Sequence, residues 1–136
     1  MNIGKLAQLT NISAKMIRYY ESIHLLQQSK RTEGGYRLYS ERDVAILHFI
    51  KRARSLGFSL QSLGKLLSLW QDGDRASADA KAVAEQHIAD LNQQINVLVG
   101  MRDTLHDLVQ ACPGNHRAAD CPILQNLGET KIAHPQ

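Results

Sequence analysis

The sequence predicts a mainly α chain: a winged helix-turn-helix domain, then a long coiled-coil dimerisation helix, then a C-terminal loop with a short helix. Three observations predict it. The first 70 residues hold several short stretches of helical apolar spacing, started by capping serines and interrupted by one Gly-Gly turn. Residues 77–111 contain no proline and a single glycine, and they repeat apolar residues in heptads. Two Cys-Pro pairs then frame a short polar segment directly after that stretch.

Ile3, Leu6 and Ala7 have helical spacing, and a second short helix begins after Ser13, whose hydroxyl can cap the N–H groups of Lys15 or Met16. Ile17 and Tyr20 face inward on that second helix, which leaves Lys15, Arg18 and Tyr19 for a partner. Two short helices meeting at a turn form a helix-turn-helix. Gly34-Gly35 supplies the positive φ angles of a two-residue hairpin turn, giving a small β-ribbon or wing. Ser40 caps a helix running to about Ser55, with Glu41 and Asp43 at its positive end and Lys51, Arg52 and Arg54 at its negative end. Gly57 closes it, Ser59 caps the next, and Leu60, Leu63, Leu67 and Trp70 form a core-facing stripe.

After the polar break Gln71-Asp72-Gly73-Asp74, the long helix places Ala84, Ile88, Leu91, Ile95, Leu98, Leu105 and Val109 at a and d positions, with Arg102 interrupting. So long a seam has little in a small chain to cover it, so a homodimer is expected. The expected organisation is 1–70 for the winged domain and connecting helices, 76–111 for the dimerisation helix, 112–128 for the loop and short helix, and 129–136 for a tail.

At 136 residues the chain has room for one domain with an appendage, and no apolar run approaches the roughly 20 residues of a membrane span. No signal-peptide stretch opens it, so the cytoplasm is expected. The formal net charge of +3 conceals an asymmetry: residues 1–56 carry ten Lys/Arg against four Asp/Glu, the remainder six against nine. A basic first half is the electrostatic footprint of a nucleic-acid partner, although a merely solvated basic face has the same charge. No phosphate loop, nucleophile elbow or H-E-x-x-H motif supports an enzyme.

Cys112 and Cys121 are the only cysteines. They could form a disulfide, be unrelated thiols, or act as a pair of thiolate ligands. A reducing compartment disfavours the disulfide, leaving a redox sensor open. Pro122 at the first position of a helix through about Leu127 leaves backbone N–H groups near Cys121, which lowers a thiol pKa. Soft thiolates select soft ions such as Cu(I), whereas structural zinc recruits four Cys or His ligands. His116 is the one candidate third ligand within the loop.

Residues Ser13-Ala14-Lys15-Met16-Ile17-Arg18-Tyr19-Tyr20-Glu21 and Gly34-Gly35-Tyr36-Arg37-Leu38-Tyr39 resemble the DNA-binding half of the MerR family. Ala53 to Leu60 resembles the family's segment between the winged domain and the dimer helix. Ala111-Cys112-Pro113-Gly114 and Asp120-Cys121-Pro122-Ile123 resemble its monovalent-metal branch, the copper-efflux regulators. The resemblance implies a homodimer with an antiparallel coiled coil and a metal-binding loop at each end, Cys112 and Cys121 binding Cu(I), or alternatively Ag(I) or Au(I). It assigns Ser77 to the position where divalent-metal relatives carry a further cysteine, and Lys81 to offsetting the site's negative charge. It places Lys15, Arg18 and Tyr19 in the DNA major groove or on its phosphates, counts Ser13 among the DNA-binding residues, and puts Arg31, Tyr36, Arg37 and Arg54 on the backbone. The implied partner is double-stranded promoter DNA, which the metal-bound dimer distorts so that RNA polymerase can use the promoter; no membrane is involved. Eight residues separate the cysteines, one more than the branch usually has.

Two other functions share these residues. One is a thiol redox-sensing regulator using a Cys112/Cys121 disulfide. The other is a cytosolic metal buffer whose basic half binds acidic partners rather than DNA.

Overall fold

The structure, a computed structural model, describes residues 1–28, 30–31, 33–35, 37–73, 76–115 and 117–129, and of Lys30, Arg31 and Arg37 the backbone alone. The element order is α1 (Ile3–Thr10), α2 (Ala14–Ser22), β1 (Lys30–Arg31), β2 (Arg37–Leu38), α3 (Glu41–Ser55), α4 (Leu60–Asp72), α5 (Ala76–Ala111), a 3-10 turn at Ala118–Asp120, and α6 (Pro122–Gly128). This is the helical architecture the sequence predicts. The chain divides into two compact units, the first Met1–His87 and the second beginning at Ile88.

In the first unit each short helix has an identifiable start. The Asn2 side chain accepts from the Lys5 N–H at 2.8 Å, and the Ser13 hydroxyl accepts from the Met16 N–H at 3.1 Å. Such caps satisfy donors that have no intrahelical partner. Asn11, at φ 55°, turns the chain between α1 and α2. Lys51 of α3 reaches back to this turn, its ammonium 3.3 Å from the carbonyl oxygens of both Thr10 and Asn11. A cation at the negative end of α1 stabilises it.

The ends of α2 and α3 use one solution twice. Gly57, at φ 87°, donates to the Arg54 carbonyl at 3.0 Å while Phe58 donates to that of Ala53 at 3.2 Å. His24, at φ 64°, donates to Glu21 at 3.1 Å while Leu25 donates to Tyr20 at 3.0 Å. Both are left-handed helix closures of the kind glycine favours, and at α2 a histidine occupies the strained position.

The ribbon departs from the expected two-residue turn. Lys30 pairs with Leu38 and Arg31 with Arg37, so the antiparallel register is centred on Gly34 rather than between Gly34 and Gly35. A two-residue Gly-Gly turn would pair Glu33 with Tyr36; the observed pairing instead leaves residues 32–36 as the connection. Gly35 does take the positive φ, 82°. A shift of half a pairing step changes which ribbon residues face one another, which the Gly-Gly pair alone does not specify.

At the start of α3 the Asp43 carboxylate accepts from the Ser40 N–H at 2.8 Å, and at α4 the Ser59 hydroxyl accepts from the Ser62 N–H at 3.1 Å. The core gathers Leu6, Ile17, Leu26, Leu47, Ile50 and Leu63, all fully buried, with Tyr20, Tyr39, Ile46, Ala53 and Leu67 around them. Each large apolar side chain so buried contributes about 1.5–3 kcal/mol relative to exposure. Trp70 is not a core residue as its spacing suggests: it is 54% exposed and stacks on Phe49 with ring centroids 4.8 Å apart. It lies on the last turns of α4, beyond the buried Leu63 and Leu67.

The first turns of α5 belong to this unit and are fastened to it. The His87 Nε2 donates to the Leu56 carbonyl at 2.8 Å, and its ring stacks on Phe58 at 4.2 Å. In the second unit Ile88, Ile95, Leu98, Leu105 and Val109 of the heptad stripe are each more than half exposed. Among the described residues no helix is long and apolar enough to cross a membrane.

Candidate DNA interface and two-cysteine site

Helix α2 buries Ile17, Tyr20 and Glu21 and exposes Ser13 at its cap together with Lys15, Arg18 and Tyr19. The last three lie at i, i+3 and i+4, so they share one helix face. Two long donors and a phenol on a rigid helix, with their stems free of the core, can reach phosphates and base edges in a groove. Arg54 is exposed, and its guanidinium donates to the Phe58 carbonyl at 3.0 Å, which fixes the head over the α3–α4 turn while engaging one of five donors. The backbones of Arg31 and Arg37 are paired in the ribbon. Their side chains, like Tyr36, lie outside the described residues.

Two polar residues that sequence reasoning passed over hold this face in place. Glu21 is almost fully buried and accepts a hydrogen bond from the Tyr39 hydroxyl at 2.5 Å. Its position four after Ile17 and one after Tyr20 is the signal that could have placed it inward. In the sequence Lys51 shows only as a charge near the end of α3; its reach to the α1–α2 turn spans 40 residues of sequence and leaves no local pattern.

In the second unit, α5 ends at Ala111 and the loop turns at Gly114, φ 83°. Cys112 follows the last helical turn, its N–H donating to Val109 at 3.2 Å, and Cys121 sits at the N-cap of α6 with Pro122 in the first helical position. The loop is braced by the Asp120 N–H on the Arg117 carbonyl at 2.9 Å and the Gln125 amide on that of Ala118 at 3.4 Å. These elements bring the two sulfurs to 3.8 Å, each partly accessible to solvent.

The Leu124 backbone N–H holds the Cys121 thiol below the ordinary thiol range, outweighing the upward push of partial burial; the Ile123 N–H and the Cys112 sulfur add to the lowering. This is the effect expected of thiol placement at a helix start. His116 lies outside the described residues, and among those described no group of three or more His, Cys, Asp or Glu side chains is placed to hold a metal ion. Ser77 and Lys81 are exposed on the first turns of α5.

The chain's first 69 residues match the family described as MerR HTH family regulatory protein, and residues 44–108 match the one described as MerR, DNA binding. The chain belongs to the MerR family. MerR-family membership makes it a DNA-binding transcription regulator and not an enzyme. An uncharacterized HTH-type transcriptional regulator of Pseudomonas aeruginosa is 57% identical over 127 residues, 93% of this chain and 96% of that protein. A heavy metal-dependent transcription regulator 2 of Rhizobium meliloti is 47% identical, over 93% of this chain and 86% of its own length. The HTH-type transcriptional regulator CueR of Escherichia coli is 40% identical, covering 93% of each. Among solved structures, the MerR-type architecture is shared with the transcription regulator PbrR691 from Ralstonia metallidurans in complex with lead(II), at a TM-score of 0.83, 31% identity, and coverage of 93% and 98%.

Proposed function

We propose that this MerR-family protein is a copper-sensing transcription activator: a homodimer that binds Cu(I), or alternatively Ag(I) or Au(I), through Cys112 and Cys121. Metal binding then activates efflux or detoxification genes by distorting promoter DNA for RNA polymerase. The observation that carries it is the pair of sulfurs 3.8 Å apart at the start of α6. Two sulfurs this close on one loop could both reach a single soft ion with little movement of the chain. Thiolates are soft ligands, and a two-sulfur donor set suits a monovalent soft ion better than a divalent one, which seeks more ligands. The relative named for heavy-metal dependence and the neighbour holding lead(II) support a metal as the effector; the choice among metals rests on the donor set.

The uncovered heptad stripe of α5 supports a dimer, and its register supports a shared site. Ser77 and Lys81 extend the a and d series one repeat before Ala84 and Ile88, and Cys112 lies one repeat beyond Leu105. An antiparallel pair that layers Ile95 on Leu98 and Ile88 on Leu105 brings Cys112 to the partner subunit's Lys81. An ammonium there offsets the net negative charge of a monovalent ion between two thiolates. In this reading 1–70 binds DNA, 76–111 dimerises, 112–128 holds the metal and 129–136 is a tail.

DNA recognition falls to Ser13, Lys15, Arg18 and Tyr19 on α2, with Arg31, Tyr36, Arg37 and Arg54 on the backbone. Metal acts by favouring the activating conformation of the DNA-bound dimer; an ion that bound both conformations equally would shift nothing. The test is a promoter reporter carrying Cys112→Ser or Cys121→Ser. Each variant is expected to abolish copper induction while retaining operator binding. Unchanged induction in both would remove the cysteines from the sensor.

A further inference from the structure

We propose that Cys112 and Cys121 are also a peroxide-oxidisable dithiol, and that the intrachain disulfide they form excludes the metal and silences the sensor. The two sulfurs already touch at 3.8 Å, and only one bond, of about 2.05 Å, must be reached. Both side chains are partly open to solvent, and between them Pro113, Gly114, Asn115 and Arg117 are exposed. A small oxidant therefore has access to either sulfur.

Each sulfur hangs from the end of a different helix, Cys112 just past α5 and Cys121 at the cap of α6, so a change of side-chain rotamer and a small loop adjustment suffice to close the pair. The left-handed Gly114 and the short 3-10 turn give the connecting segment the tight path such closure needs.

The chemistry balances with hydrogen peroxide as the oxidant. One thiolate attacks a peroxide oxygen; the O–O bond breaks, hydroxide leaves and takes a proton to become water, and the sulfur becomes a sulfenic acid. The second thiolate then attacks that sulfur, the S–O bond breaks, and the oxygen departs as water. Two thiols have lost two electrons and two protons, and the peroxide has become two waters. A disulfide offers no thiolate, so the ion that needs both sulfurs has no site.

The experiment uses the full-length, reduced, metal-free protein treated anaerobically with stoichiometric hydrogen peroxide. Alkylation, intact mass and non-reducing electrophoresis then give the product, and Ag(I) uptake is measured before oxidation, after it, and after added dithiothreitol. The expected product is a monomeric chain lighter by two hydrogens, with neither cysteine alkylated, no Ag(I) uptake, and full recovery on reduction. Cys112→Ser should lose that product and carry a single sulfenic or alkylated cysteine instead. Full alkylation of both cysteines, accumulation of sulfinic acid, or a disulfide-linked pair of chains would each overturn the proposal. The two readings separate cleanly: Ag(I) uptake without an intrachain disulfide leaves the metal sensor and removes the switch. A disulfide in a protein that never takes up Ag(I), even when reduced, removes the metal sensor and with it the exclusion of metal by the disulfide.

Discussion

The Tyr39 hydroxyl donates to the buried carboxylate of Glu21 at 2.5 Å, and so ties the exit of the β-ribbon to the helix that carries Lys15, Arg18 and Tyr19. Tyr39 also exchanges two backbone bonds with Met1, each 2.7 Å long, so the ribbon, the N-terminus and α2 meet at one residue. Replacing Tyr39 by Phe removes the hydroxyl and leaves the two backbone bonds to Met1 in place. A hydrogen bond to a carboxylate at a site closed to water is worth about 1–3 kcal/mol, and urea unfolding of Tyr39→Phe should show a loss of that size with an unchanged denaturant slope. A loss within error of zero would mean that the carboxylate is satisfied without the phenol.

His24 takes φ 64° in a closure where Gly57 performs the same role at the end of α3. A side chain in the left-handed region costs roughly 1 kcal/mol relative to glycine. His24→Gly is therefore expected to stabilise the protein by up to about 1 kcal/mol, partly offset by the greater freedom of glycine in the unfolded chain. Thermal unfolding should shift upward by a few degrees; a downward shift would show that the imidazole makes a compensating contact.

The helices were legible because their signals are local. Ser13, Ser59 and Gly57 announce helix ends within a few residues, and the heptads from Ala84 to Val109, broken at Arg102, announce a single long helix. What escaped was long-range. The reach of Lys51 to Thr10, the burial of Glu21 against Tyr39 and the stacking of His87 on Phe58 each join residues far apart in sequence. The ribbon register also escaped, since Gly34-Gly35 permits several turns and pairing across only two residues per strand chooses among them. At the cysteine loop the residue types and the helix start at Pro122 were readable; that nine residues of chain bring the sulfurs to 3.8 Å was not.

Binding to promoter DNA through an exposed basic face should weaken steeply with salt, because each neutralised phosphate releases counterions. Lys15→Ala is expected to reduce the slope of log affinity against log salt by about 1 and to weaken cognate and unrelated sequences alike, if it contacts a phosphate. Fluorescence anisotropy across a salt series measures both. An unaltered slope with selective loss at the cognate site would reassign Lys15 to a base edge.

The lowered Cys121 thiol has a pH consequence with a definite sign. In the reduced, metal-free protein its folded value lies below the unfolded one. The stabilisation it brings is complete above the unfolded value and is lost as the pH falls through the folded value. Alkylation of Cys121, followed by peptide mapping across a pH series, should reach half its maximal rate at a lower pH than the same residue in urea. Coincident profiles in the folded and denatured protein would mean that the Leu124 and Ile123 N–H groups do not favour the thiolate.

Copper binding at Cys112 and Cys121 is tested most directly by anaerobic titration of the reduced protein with Cu(I) against a competing chelator, with X-ray absorption on the bound copper. One ion per chain is expected, bound tightly by two sulfurs in near-linear geometry and lost in Cys112→Ser and Cys121→Ser. Failure to take copper from the chelator, or tight uptake that persists in both variants, would contradict binding at this pair.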